Sequence, residues 1–250
     1  FHHSIPQGMC TVSFVSVPGK KIISSNRDEH IARPAAAAPR GELINGQRIF
    51  FPKDPQAGGT WFAVSGQGAV SVLLNGAFIK HPHRPPYRRS RGLILLDIIA
   101  TEDPLHAFAH INLDQVEPFT MVHYQAGQLH EWRWDGAAKH MNSLDPSGNH
   151  IWSSATLYPD EVVQYRKSLF DRFIAETPAP EPADVYAFHA HNNNDPENGF
   201  VINRQTGLQT FSITQAVWQP DRVHFSHSDL RLEEHSEQSI LLETHPVTSS

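Results

Sequence analysis

Short runs of β-branched and aromatic residues, separated by Gly, Pro and Asn, fill the first third of the chain and predict β-strands. The first run covers residues 10–17, and a Pro18-Gly19 turn signal separates it from a second run over 21–25. The second run ends at the polar segment 26–29. A hairpin of these two strands would bring segment 26–29 back beside the start of the first strand.

The middle of the chain changes to helical spacing. Residues 92–100 and 103–111 are predicted helices, and the second has Asp103 as its N-cap and Pro104 in its first position. Apolar residues also recur on one face over 159–176, before a Pro-rich stretch ends that helix. We expect a loop over residues 32–42, and further strands at 48–51, 61–65, 69–74, 119–124, 129–134, 139–141, 199–203, 209–214 and 222–226.

Strands, then helices, then strands predict an α+β fold with largely antiparallel sheets that are covered by helices. The chain shows no internal repeat and no linker, so a single domain is expected over residues 10–233. Residues 1–9 are interpreted as an extension or cloning remnant that ends in an initiator Met. Residues 234–250 are interpreted as a polar C-terminal tail.

Composition and charge argue against several classes of protein. The net charge of −6 argues against a nucleic-acid-binding protein, whose surface is usually basic. No apolar run approaches the roughly 18 residues that span a bilayer, so no membrane span is predicted. The single cysteine excludes an internal disulfide, which suits a reducing compartment, and a cytoplasmic location is expected. The oligomeric state stays open.

Cys10 is the residue whose side chain is best suited to act as a nucleophile. Removal of Met9 would give Cys10 a free α-amine that can act as general base toward its own thiol. Arg27 would favour the thiolate, and Asp28 would either orient the resulting ammonium or accept a hydrogen bond from the thiol. Asn75, at the end of a predicted strand, would donate a hydrogen bond to a substrate carbonyl or to a developing oxyanion. The alternative for the same residues is a buried, inert cysteine beside a polar loop with surface ion pairs.

An ordered series of motifs resembles the NRDE family, also called the transport and Golgi organisation family. The series begins with Met9-Cys10-Thr11 and Ser25-Asn26-Arg27-Asp28-Glu29, and it extends almost continuously to about residue 222. Its other members are Gly58-Gly59-Thr60-Trp61, Leu73-Leu74-Asn75, Ser90-Arg91-Gly92, Ile151-Trp152-Ser153-Ser154 and Asn198-Gly199-Phe200. That family is similar to N-terminal-nucleophile hydrolases, and its opening resembles those of bile-salt hydrolases and acid ceramidase. The resemblance implies a four-layer αββα sandwich.

The resemblance also implies a function and a site. It implies hydrolysis of a carbon–nitrogen amide bond in a small or lipid-like, non-peptide amide, without a cofactor or a metal. The implied catalytic residues are Cys10, Asp28, Asn75 and Arg27, and the implied substrate-binding residues are Asn26, Trp61, Arg91 and Ser154. The alternative is a non-catalytic protein that binds or traffics haem or a lipid-like hydrophobic ligand.

Two positions depart from the pattern of the similar amidases. Their supporting arginine lies three residues before the aspartate, where this chain has Ser25. The segment after Trp152 usually has an asparagine, where this chain reads Ser153-Ser154. A hydroxyl cannot reproduce the two donors and the acceptor of an amide, so weaker hydrolysis is expected. The 17 histidines show no recognised metal-ligand spacing. Trp61 and Phe62 either line an apolar pocket or belong to the hydrophobic core, as aromatic residues in strands more often do.

Overall fold

The computed structural model describes residues 9–156 and 158–242, with the side chains of Met9 and Cys10 excepted. The sequence-based expectations for residues 1–8 and 243–250 therefore lie outside the described residues. Strands and helices are numbered below in chain order.

Two antiparallel sheets form the centre of the molecule. The first has the strand order β10-β1-β2-β11-β12-β13, in which the strands are β1 (Met9–Val17), β2 (Lys20–His30), β10 (His150–Ser153), β11 (Leu208–Gln219), β12 (Arg222–Asp229) and β13 (Glu234–Leu241). The second is a meander of β3 (Ala37–Ile44), β4 (Gln47–Lys53), β5 (Phe62–Ser65), β6 (Val70–Asn75), β7 (Phe119–Gln125), β8 (Gln128–Trp134) and β9 (Lys139–Leu144).

The helices cover the outer faces of the two sheets. They are α1 (Arg91–Ile99), α2 (Pro104–His110), α3 (Asp160–Glu176) and α4 (Pro182–Ala190). Helix α1 packs on β5 and β6, α3 packs on β10, and α4 packs on β2 and β11. The predicted four-layer αββα sandwich is confirmed. None of these helices in the described part of the chain is long and apolar enough to cross a membrane.

Strand β2 shows why the layers form. Ile23 packs into the core between the sheets, whereas its neighbour Ile22 packs against Phe170 and Val185 under α3 and α4. Alternate side chains of one strand thus reach two different cores, because successive residues point to opposite faces. Burial on both faces continues past Ser25, so β2 extends to His30 and includes the segment 26–29 that was predicted to end it.

The structure corrects several sequence-based predictions. Residues 37–44 form strand β3 rather than a loop, and β10 and α4 were not predicted. The expected tail is wrong for Glu234–Leu241, which forms strand β13 beside β12. Ile240 is the one fully buried residue of β13, so backbone pairing at a sheet edge holds a strand whose side chains are mostly polar.

Candidate active site

A cavity of about 390 Å³ lies where the end of β2, the end of β6 and the start of α1 meet, and it is called the main cavity below because the motif residues line it. Residues of both charge signs line it, so it is not the apolar pocket that was one of the two interpretations of Trp61 and Phe62. Phe62 is not part of the wall, since it packs in the core against Phe225. The wall includes the sequence-predicted residues Arg27, Asp28, Trp61, Asn75 and Arg91.

The register of the first hairpin relates Cys10 to this cavity. The backbone of Cys10 pairs directly with that of Arg27, and Met9 pairs with Asp28. Removal of Met9 would therefore leave the Cys10 amine as a chain end beside the strand position of Asp28. The predicted return of segment 26–29 to the start of β1 is confirmed.

Asp28 is fully buried and accepts two hydrogen bonds from hydroxyl groups. Thr210 Oγ1 donates to Oδ1 over 2.6 Å, and the Tyr158 hydroxyl donates to Oδ2 over 3.2 Å. Burial raises the pKa of the Asp28 carboxyl from 3.8 to about 6, and the nearby Arg166 guanidinium partly opposes this shift. The carboxylate is thus held in place while its charge remains poorly solvated.

Arg166 on α3 supports Asp28 and was missed by the sequence analysis. It is fully buried, and its guanidinium lies 3.8 Å from the centre of the Tyr158 ring. It donates to the Tyr158 hydroxyl over 2.7 Å, to the Asn198 carbonyl over 3.0 Å, and also to the Gly199 carbonyl and the Thr11 hydroxyl. Its sequence signal is its position four residues before Phe170, on the buried face of α3.

A β-bulge in β11 places two hydroxyl residues beside the motif. Thr210 pairs with Asp28 and Ser212 pairs with Arg27, so Phe211 is the extra residue between them. Bulges are common beside active sites because they re-aim side chains without ending a strand. Here the bulge brings Thr210 to the carboxyl of Asp28, on the helix-covered face of the first sheet.

Arg27 occupies the opposite face of β2, toward the second sheet. Its guanidinium lies 3.0 Å from Asp54 Oδ2, 3.3 Å from Glu29 Oε2 and 4.4 Å from the centre of the Trp61 ring. Residues two apart share a strand face, so Arg27 lies on the same face as Ser25. Arg27 therefore lies on the face that an arginine at position 25 would occupy, two residues farther along the strand.

Two predicted substrate-binding residues do not line the main cavity. The Asn26 amide donates to the carbonyls of His189, over 2.9 Å, and Phe200, over 3.0 Å, so it holds α4 against β2. Ser154 Oγ donates to the Asn75 carbonyl over 2.6 Å and is almost fully buried. Neither side chain reaches the main cavity, because each already bonds to backbone carbonyls.

Arg91 stands at the start of α1, after the N-cap Ser90. It lies 3.2 Å from Glu117 Oε2, while His81 and His83 each lie 3.1 Å from Glu117 Oε1. Among residues 9–156 and 158–242, no group of three or more His, Cys, Asp or Glu side chains has the geometry to hold a metal ion.

Two glycines allow α1 to approach this wall. A Cβ atom on Gly59 would lie 2.5 Å from the Gly92 carbonyl carbon, and one on Gly92 would lie 2.7 Å from the Thr60 carbonyl oxygen. Side chains at these positions would push Arg91 away from the main cavity.

The raised pKa of Asp28 gives a pH-dependent prediction. The folded protein favours the protonated carboxyl, so stability is fully present below the unfolded pKa of 3.8 and is lost as the pH rises through about 6. For this group the loss in unfolding free energy is about 3 kcal/mol. Urea unfolding of the wild type and of Asp28→Asn, compared from about pH 4 to 7, should show a difference that changes by this amount. A difference that stays constant across this range contradicts the prediction.

Comparison with known proteins gives a family match and similar solved structures. A family model described as Transport and Golgi organisation 2 (TANGO2) matches residues 9–217. A solved structure of the Caenorhabditis elegans N-acylethanolamine-hydrolyzing acid amidase ortholog matches with a TM-score of 0.58 and 11% identity, covering 84% of this chain and 99% of that one. A mutant of the conjugated bile acid hydrolase from Clostridium perfringens matches with a TM-score of 0.48 and 9% identity, covering 96% of this chain and 100% of that one. No curated protein sequence matches significantly. At such identities the structural likeness concerns the fold.

Proposed function

Because this chain belongs to the Transport and Golgi organisation 2 family and has an N-terminal-nucleophile hydrolase fold, we propose that it is a cysteine amidohydrolase. The observation that carries the proposal is the register of β1 and β2, which pairs Cys10 with Arg27 and Met9 with Asp28. The chain end that Met9 removal creates would thus lie between a cavity-lining cation and a buried carboxylate. A cytoplasmic location belongs to the proposal, since a chain with a single cysteine, and so without an internal disulfide, suits a reducing compartment.

The proposed reaction uses the free amine of Cys10 as general base. The amine takes the thiol proton, and the thiolate attacks the carbonyl carbon of the amide. Asn75 donates a hydrogen bond to the oxyanion, and the Cys10 ammonium returns its proton to the departing amine. Water then hydrolyses the thioester, which releases the acid and restores the thiol. Asp28 orients the ammonium, and Arg27 favours the thiolate by its charge.

The substrate class that we propose is an N-acyl amide with a polar amine portion. The main cavity is lined by charged residues from β2, α1 and the segment between β4 and β5, which suits a polar group better than a hydrocarbon chain. The C. elegans protein hydrolyses N-acylethanolamines, as its name states, and these are amides of this kind.

Two forms of the chain test the proposal. One begins at Cys10, and the other is the 250-residue chain with residues 1–9 in place. We expect an N-acyl chloromethyl ketone to label Cys10 at neutral pH at least about tenfold faster in the shorter form, because only there is the amine free. Intact-mass spectrometry follows the labelling and also shows whether native, untagged protein has lost Met9. Equal labelling rates, or Met9 retained in cells, contradict the proposal.

Binding without turnover is the second candidate, for haem or a lipid-like ligand. One observation favours it, since Ser154 replaces an amide and its hydroxyl is already bonded to the Asn75 carbonyl. A haem titration with a Soret shift that is the same in the wild type and in Cys10→Ala, together with no hydrolysis by the chain that begins at Cys10, would support this candidate.

A further inference from the structure

Four buried polar atoms beside the main cavity have no hydrogen-bond partner among the described side chains and backbone. They are Ser25 Oγ, Ser212 Oγ, His227 Nε2 and Trp61 Nε1, and their residues are all at most 5% exposed. A buried polar atom without a partner costs about 1–3 kcal/mol, so such atoms are few in native proteins and their clustering calls for an explanation. Four such atoms in one place indicate a site for a polar group from outside the chain.

The strand register brings these residues together. Ser212 pairs with Arg27 on one side and with Asp229 on the other, which forms one row across the first sheet. Thr214 pairs with Ser25 and with His227, which forms the next row. Trp61 comes from the facing sheet, with its ring centre 6.0 Å from that of His227. We call the residues Ser25, Ser212, His227 and Trp61 the polar chamber.

The polar chamber lies between two cavities. Arg27 and Trp61 line the main cavity, and His227 lines a second cavity of about 240 Å³ at β12 and β13. The row that contains Ser212 begins at the backbone of Cys10, two strands away. With a spacing of about 4.8 Å between strands, Ser212 lies roughly 10 Å from Cys10. An acyl chain of several bonds spans that distance.

The chemistry of the polar chamber favours an oxygen atom. The Trp61 indole can only donate, and the serine hydroxyls can donate or accept. Burial lowers the pKa of His227 to about 4, so its imidazole is neutral at physiological pH. His227 Nδ1 lies 2.8 Å from Thr214 Oγ1, which leaves Nε2 for a ligand. A hydroxyl can bond with each type of group here because it both donates and accepts, and a carbonyl oxygen can accept from the indole and from the serine hydroxyls. A hydrocarbon would leave all of these groups unpaired.

We propose that the polar chamber binds an oxygen-bearing substituent on the acyl chain of the substrate, so that the enzyme selects hydroxylated or oxo acyl groups over plain alkyl ones. The assignment of this group to the acyl portion rests on the proposed function. The binding itself does not require turnover, so it is testable in a protein without a nucleophile.

The test uses Cys10→Ala in the full chain, with two series of primary amides as probes. One series carries a terminal hydroxyl on acyl chains from butanoyl to decanoyl, and the other consists of the matching alkanoyl amides. At the chain length that places the hydroxyl in the polar chamber, calorimetry should show that the hydroxylated amide binds at least about tenfold tighter than the matching alkanoyl amide. The reason is that sites built to bond a hydroxyl reject analogues that lack it. In a ¹H–¹⁵N spectrum, the indole N–H signal of Trp61 should shift on saturation with that probe.

Matched tryptophan variants separate recognition from packing. Trp61→Phe removes the donor and keeps an aromatic ring, and we expect it to lower the hydroxyl preference about tenfold. Trp132→Phe is the control, because Trp132 Nε1 is also buried without a partner in the described part, but it packs against Phe108 far along the sheet. Ser212→Ala should reduce the preference as Trp61→Phe does.

The outcomes distinguish this inference from the proposed function. If hydrolysis is absent but hydroxylated probes bind tighter and Trp61→Phe removes the difference, the amidohydrolase proposal fails and the polar chamber stands. If both series bind equally at every chain length, or the Trp61 signal does not respond to the probe, the polar chamber holds only water and the inference is overturned.

Discussion

Cys10→Ala, in the chain that begins at Cys10, is expected to lower kcat/KM for amide hydrolysis by about 10⁴-fold or more. The physical reason is that one residue supplies both the nucleophile and the base, and removal of a nucleophile from such a unit leaves only substrate binding and oxyanion stabilisation. The assay is release of a fluorogenic amine from N-acyl amides. Thermal unfolding of both proteins checks that the fold is retained.

Cys10→Ser is the matched control for this result. It keeps the free amine and a nucleophilic oxygen, but a hydroxyl is far less acidic than a thiol, so a slow residual rate above that of Cys10→Ala is expected. Turnover by Cys10→Ala at the rate of the parent chain would show that another group attacks the substrate, and it would remove Cys10 from the mechanism.

Arg166→Met is expected to lower the unfolding free energy by about 3–5 kcal/mol, which is the usual consequence of removing one partner of a buried charge pair. The substitution leaves Asp28 without its nearest opposing charge, and it deprives the carbonyls of Asn198 and Gly199 of a donor. The loss should grow as the pH rises through about 6, because Asp28 then carries its charge. Denaturant unfolding at several pH values measures both effects.

Two variants test whether Arg166 acts through Asp28. Arg172→Met changes an exposed arginine of the same helix and should alter stability by no more than about 0.5 kcal/mol. In a double variant with Asp28→Asn, part of the loss from Arg166→Met should disappear, because the uncompensated carboxylate is gone. Losses that add independently would mean that Arg166 stabilises the fold through its carbonyl contacts alone.

Much of the fold followed from local pattern. The Pro18-Gly19 turn between two apolar runs is enough to predict the first hairpin, and the hairpin predicts the approach of segment 26–29 to Cys10. Asp103 and Pro104 mark the start of α2 as predicted. Strand β13 shows the limit of this reasoning, since its backbone pairing depends on β12 and its sequence resembles a solvated tail.

For the candidate site, too, the sequence predicted only part of what the structure shows. Arg27, Asp28, Trp61, Asn75 and Arg91 were predicted from motifs, and the structure brings them to one cavity. Asn26 and Ser154 belong to the same motifs but bond to backbone carbonyls elsewhere. A motif specifies which residues are near one another along a strand, whereas the partner that each side chain finds depends on the layers packed against that strand.

The sequence by itself determined the fold class, the family resemblance and the position of Cys10 at the start of a strand opposite a polar motif, because turns and strand alternation are local properties. Only the tertiary structure decided that Arg166, Tyr158 and Thr210 hold Asp28, since these residues lie more than a hundred positions away from it. The polar chamber likewise depends on rows across four strands and on a facing tryptophan. Contacts of this kind arise when distant strands pair in register and two sheets stack, and no local pattern encodes them.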